Sequence, residues 1–128
     1  VRGAPGNTVN HTTSYWVGNH SPRVFCDRVD VVSGIGWDKV DPDNPAYRFV
    51  DVHRVVSNLG VFDFGGPGHS MRAVSLHPGV ETDEVRDNTS FEIHGLTEAP
   101  HTRLATGDEL ALIRQIDPKG LRDKEVKA

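Results

Sequence analysis

Arg2-Gly3-Ala4-Pro5-Gly6-Asn7 places a fixed positive charge, two glycines around a proline and a side-chain amide within six residues. A glycine-rich turn beside a helix start can aim backbone N–H groups at an anion or a polarised carbonyl. Asn7 and Asn10 add amide donors, and the Arg2 guanidinium can hold a carboxylate through two parallel hydrogen bonds. The same residues also make an ordinary tight turn, and alone they specify no more than a possible anion site. The following stretch, Asn10-His11-Thr12-Thr13-Ser14-Tyr15-Trp16, mixes hydrogen-bonding and aromatic groups. Such a mixture suits a pocket wall around a polar acyl group, with Asn10, His11 and Tyr15 as candidates, and equally suits a half-exposed helix.

The remaining reactive residue types form no recognisable constellation. Seven histidines fall at His11, His20, His53, His69, His77, His94 and His101, with no pair at helical spacing on a predicted helix. An HExxH pattern is absent and Cys26 has no cysteine partner, so the expectation is no metal. Ser14, Ser57 and Ser75 lack the glycine-flanked elbow of a hydrolase nucleophile. No spaced carboxylate pair stands out as a general acid and base.

These candidates depend on the elements that position them. Asn7 or Thr8 is placed to cap a short helix toward Tyr15 and Trp16. The β-branched runs Arg23–Cys26 and Val29–Val32 read as strands. Asp41-Pro42-Asp43-Asn44-Pro45 reads as a surface loop. Arg54–Leu59 and Val61–Phe64 form one long strand, or two joined at Gly60. Gly65-Gly66-Pro67-Gly68 turns the chain back into a strand from Met71 to Leu76, stopped by Pro78-Gly79. Thr82 caps a brief helix ending near Asn88, with acids in its first turn where the helix dipole favours them. Phe91–Ile93 alternates like a short strand. A second helix runs from Thr106 to about Ile116, with Thr106 and Glu109 at capping-box spacing and an apolar stripe through Leu110 and Ile113.

Composition sets the class. The 128 residues fit one domain with a single core; 36% are hydrophobic, and 18 acidic against 14 basic residues leave a net charge of −4. That balance offers no basic face for nucleic acid and no polybasic membrane patch. No apolar run approaches the roughly 20 residues that span a bilayer. A single cysteine excludes an internal disulfide and fits a reducing cytoplasm. The chain opens without methionine in a Gly/Pro-rich turn, which is the expectation for a piece of a longer subunit.

Five stretches in order resemble the beta subunit of the class I CoA-transferase family. Val55-Val56-Ser57-Asn58-Leu59-Gly60-Val61-Phe62-Asp63-Phe64 is similar to the family's V-[IV]-T-[DN]-L-[AG]-V-F-D-F strand. Met71–Val80 resembles M-x-L-x-S-L-H-P-G-V, and Glu84–Phe91 resembles E-V-x-x-N-T-G-F with Ser90 in the glycine's place. Glu109–Arg114 and Ile116–Arg122 resemble the closing helix and the D-P-x-G-L-R ending. The likeness implies an α/β CoA-transferase-like (NagB/RpiA-type) fold with a mostly parallel sheet. Residues 1–128 would be one domain, the C-terminal portion of a beta subunit that faces an alpha subunit across a cleft, with such pairs assembled as a heterotetramer in the cytoplasm.

The wording Arg2–His11 is similar to an actinobacterial branch of steroid catabolism. There an alpha/beta enzyme hydrolytically opens the last steroid ring as its CoA thioester during cholesterol degradation, by a retro-Claisen-like C–C cleavage of a cyclohexene-carboxyl-CoA intermediate. In that resemblance Gly3, Gly6 and Asn7 form an oxyanion loop, with Pro5 where the family's G-x-G-G loop has its middle glycine. Arg2 takes a substrate carboxylate, and Asn10, His11 and Tyr15 face the pocket. The catalytic glutamate lies upstream or on the alpha subunit, no cofactor is bound, and coenzyme A enters as part of the substrate. Two other readings stand beside it: a glutaconate- or 3-oxoacid-type CoA-transferase, and a non-catalytic half that binds an alpha subunit.

Overall fold

A computed structural model describes residues 3–124. The chain starts on helix α1 (Ala4–Asn10) and passes directly into strand β1 (Thr12–Val17). A long irregular crossover leads to β2 (Asp51–Ser57), β3 (Gly60–Asp63) and β4 (Arg72–Leu76), followed by helices α2 (Thr82–Asp87) and α3 (Gly107–Ile116). One sheet holds the four strands in the order β1-β2-β3-β4.

The sheet is mixed, which corrects the expectation of a mostly parallel one. Only β1 and β2 pair in parallel; β2–β3 and β3–β4 are antiparallel. The connections decide this. Asn58 and Leu59 alone join β2 to β3, and so short a link closes a hairpin, whereas parallel neighbours need a crossover of a dozen residues or more. Gly60 thus separates two strands. Its Cα lies so close to β4 that an added Cβ would meet the Ser75 carbonyl at 2.6 Å. A register shift between Val61 and Phe62 interrupts the simple alternation expected for β4, so Ala73 and Leu76 both reach the core.

The core lies on one face of the sheet. Val55, Leu59, Phe62, Ala73 and Leu76 pack there against Phe25, Val85, Ile93 and Leu96, with Phe62 fully buried. The outer edge of β4 is occupied by the segment that follows α2. Ala73 and Leu76 donate their N–H groups to the carbonyls of His94 (2.8 Å) and Pro100 (3.0 Å), and Thr102 N–H donates to Leu76 (2.7 Å). This satisfies backbone groups that an edge would leave unpaired. Phe91–Ile93 is therefore not a strand of its own; it bends into a single bridge at His94.

Two further expectations change. Residues 23–32 form turns and irregular chain rather than strands, because no neighbouring strand offers them a ladder, and Val24, Val29, Val31 and Val32 stay exposed. Tyr15 and Trp16 lie on β1, not on a helix, since parallel pairing with Val55 and Val56 outweighs the local capping signal. The late helix matches its pattern: Thr106 Oγ1 accepts the Glu109 N–H at 3.2 Å and the Glu109 carboxylate accepts the Thr106 N–H at 2.8 Å.

Candidate active-site segment

The glycine-proline stretch is the first turn of α1 rather than an open loop. Gly3 is the N-cap residue and Pro5 sits inside the first turn, where its missing N–H costs no helical bond. The Asn7 N–H donates to the Gly3 carbonyl at 3.0 Å, the first bond of the helix. Helix geometry leaves the N–H groups of Ala4 and Gly6 without intrahelical acceptors, so they face outward at this end. Gly3, Gly6 and Asn7 are exposed, and the Asn7 amide nitrogen lies 4.0 Å from where a Gly3 Cβ would stand. Buried Thr8 anchors the turn from beneath through its hydroxyl, within 3.1 Å of the Ala4 and Pro5 carbonyls.

The other sequence candidates separate. Asn10 donates its side-chain amide to the Gly6 carbonyl at 2.9 Å and so braces α1. His11 is the exposed C-cap, its N–H bonded to the Asn7 carbonyl. Tyr15 is 42% exposed on β1. By strand alternation it shares a face with Thr13, whose hydroxyl lies 3.4 Å from the Asn7 carbonyl. Arg2 lies outside the described residues.

Two features were not anticipated from sequence. A cleft of about 470 Å³ runs beside α1, lined by Pro5, Val9, Val32, Ile35, Asp38 and Tyr47 among others. Its Val32–Ile35 wall comes from chain that composition assigned to a strand or its end. The second is Asp63, only 7% exposed. The Arg72 guanidinium grips it at 3.0 and 2.7 Å, while Arg54 reaches it at 3.1 Å and the Gly65 N–H at 2.9 Å. Those bonds, Arg72 foremost, hold its carboxyl below the usual range. The register of the antiparallel strands, with Asp63 opposite Arg72, was the available signal.

A buried polar network ties the chain after β1 to the end of β2 and to the end of α2. Thr89 donates its hydroxyl to the Val85 carbonyl at 2.8 Å, so its oxygen accepts from His20 Nε2 at 3.0 Å. His20 Nδ1 then accepts the Ser57 hydroxyl at 2.9 Å, while Ser57 Oγ receives the Leu59 N–H at 3.1 Å. This network assigns one neutral tautomer to His20, which also stacks on Phe25 at 3.5 Å between ring centroids. Burial pushes its pKa down from 6.5 to about 4. Among the described residues no group of three or more His, Cys, Asp or Glu side chains is placed to hold a metal ion. No helix among them is long and apolar enough to cross a membrane.

No protein-family model matches the chain. Along its whole length it is 74% identical to the cholesterol ring-cleaving hydrolase IpdB subunit of Mycobacterium tuberculosis, of which it spans 52%. The solved Rhodococcus jostii RHA1 IpdAB structure superposes with a TM-score of 0.96 at 67% identity, over 99% of this chain and 52% of that one. The chain has the CoA-transferase-like fold. Within it, sequence places the chain beside the ring-cleaving hydrolase B subunits. The glutaconate coenzyme A-transferase of Acidaminococcus fermentans shares the fold alone, with a TM-score of 0.73 at 22% identity over 88% of this chain and 44% of that chain. The chain spans about half the length of the curated relatives it matches.

Proposed function

We propose that this chain is the C-terminal part of the beta subunit of a two-subunit hydrolase that opens the last steroid ring, carried as a CoA thioester, in cholesterol degradation. The 74% identity along the entire chain to a subunit named for that reaction carries the reading. In such a ring opening, water adds to a ring carbonyl placed beta to the thioester. The bond to the carbon next to the thioester then breaks, its electron pair rests on the thioester as an enolate, and a proton closes the step. One ring carbonyl leaves as a carboxylate.

The roles assigned to this chain follow from where oxyanions develop. Backbone N–H groups at Ala4 and Gly6, with the Asn7 amide, are donors for the negative oxygen, and pre-aimed donors of this kind act on the transition state. Arg2 takes a carboxylate of the ring fragment, and His11 and Tyr15 border the pocket. Asn10, committed to Gly6, acts by holding the turn. The apolar cleft along Val9, Val32, Ile35 and Tyr47 offers room for a single-ring acyl group. The catalytic carboxylate is supplied from outside these residues. Coenzyme A participates as part of the substrate, and the lone cysteine supports a cytoplasmic setting.

The competing transferase chemistry needs a glutamyl-CoA thioester. Incubating the intact two-subunit enzyme with its acyl-CoA and then with borohydride or hydroxylamine separates the two. A hydrolase keeps its activity; progressive inactivation with modification of a glutamate would overturn the hydrolase reading.

A further inference from the structure

His69 holds a backbone conformation that its own side chain makes costly. Its φ is +60°, and it is the one non-glycine residue with positive φ among the described residues. Glycine adopts this left-handed conformation freely, as Gly68 does beside it at the same φ. A residue that keeps a Cβ there against the steric cost points to a use for its side chain. The turn that presents it is closed by backbone bonds. Gly66 N–H donates to the Ser70 carbonyl at 3.0 Å, His69 N–H to Gly66 at 3.1 Å and Ser70 N–H to Pro67 at 3.1 Å. The imidazole is therefore offered from a fixed platform between β3 and β4.

That platform carries Trp37. The two rings stack with centroids 4.7 Å apart and planes 14° from parallel. Trp37 Nε1 also donates to the Val52 carbonyl of β2 at 3.2 Å. Between Val29 and Tyr47, among the described residues, every other hydrogen bond stays inside the crossover. Trp37 is thus the hydrogen-bonded stitch between this irregular stretch and the sheet. Ile35, two residues before it, and Asp38 and Lys39, directly after it, line the cleft beside α1. A shift of Trp37 carries that wall with it. We propose that His69 is a positioning residue: by fixing Trp37 it sets the spacing between the Ile35–Lys39 wall and α1, and so how tightly the cleft holds the acyl ring. The proposal rests on the ring-opening reading above. His69 does not itself line the cleft and acts only through Trp37.

The test uses the intact two-subunit enzyme and its ring-bearing CoA thioester, with His69→Asn, Trp37→Leu and the pair combined. Asparagine tolerates the left-handed backbone, so His69→Asn removes the stack and leaves the turn. Losing one aromatic pair that serves binding should raise KM about fivefold while kcat stays within about twofold. Trp37→Leu should raise KM at least as far, and the double variant no further than Trp37→Leu alone, because both substitutions break the same contact. An unchanged KM in His69→Asn would overturn the proposal. So would additive effects in the pair, or a loss of kcat that follows the thermal midpoint while KM holds, which is the mark of a purely structural residue. Should Trp37→Leu fail to fold, His69→Asn decides alone. A wild-type enzyme that leaves the ring closed would instead sink the ring-opening reading, a failure seen before any variant is made.

Discussion

Acidification should destabilise the domain through His20. The ring is 3% exposed, neutral, and committed at both nitrogens, with a pKa lowered from 6.5 to about 4. A depressed histidine pKa means that the folded state binds its proton less readily than the unfolded chain. The stabilisation is therefore complete above pH 6.5 and is lost as pH falls toward 4. The gap corresponds to about 3 kcal/mol in full and about 2 kcal/mol by pH 5. Against a total stability of 5–15 kcal/mol, such a loss is easily measured. Equilibrium denaturation followed by the fluorescence of Trp16 and Trp37 reads it at pH 7.5 and pH 5. The His20→Gln variant starts less stable but should lose most of that pH dependence. If wild type and His20→Gln weaken equally between the two pH values, or if the His20 ring titrates near 6.5 by NMR, the reasoning is refuted.

Other substitutions test the remaining parts of the scaffold. Phe62→Ala removes the fully buried centre of the core and should cost about 3–5 kcal/mol in the same denaturation experiment. Gly60→Ala forces a Cβ against the Ser75 carbonyl and should cost about 1–3 kcal/mol; a neutral result would show that β3 and β4 are farther apart. Asp63→Asn leaves Arg54 and Arg72 without their shared carboxylate and should cost about 2 kcal/mol, measured as a shift in denaturant midpoint. In the intact enzyme, Asn7→Ala should lower kcat/KM for the ring substrate on the order of tenfold without a stability change, because Asn7 is exposed; unchanged kinetics would remove it from the site.

Where the physics is local, the residues announced their structure. The β3–β4 hairpin needs only the glycine-proline turn and the flanking apolar runs, and α3 needs only Thr106 and Glu109 three residues apart. β1 was hidden although Thr12, Thr13, Tyr15, Trp16 and Val17 favour strands, because its ladder partner, β2, arrives after a long crossover and the helix-start signal just before it was extended through Tyr15 and Trp16. The opposite error at Val24–Val32 has the same root: β-branched residues favour strands, but a strand needs a neighbour. His20, Ser57 and Thr89 are far apart along the chain, so their network could not be read from spacing. At the candidate site, Gly3, Gly6 and Asn7 read as a loop from their glycines and proline, whereas Pro5 inside the first turn lets them open α1 instead. The commitment of Asn10 to the Gly6 carbonyl, and the cleft closed by Val32 and Ile35, depend on how α1 meets the crossover.

The central claim is that water, not a second carboxylic acid, is the co-substrate. The most direct measurement is mass spectrometry of the product formed by the intact two-subunit enzyme from the ring-bearing CoA thioester in ¹⁸O-labelled water. The account predicts a ring-opened product that retains its CoA and carries one ¹⁸O atom in a new carboxylate. An intact ring with CoA moved to an added carboxylic acid would contradict it.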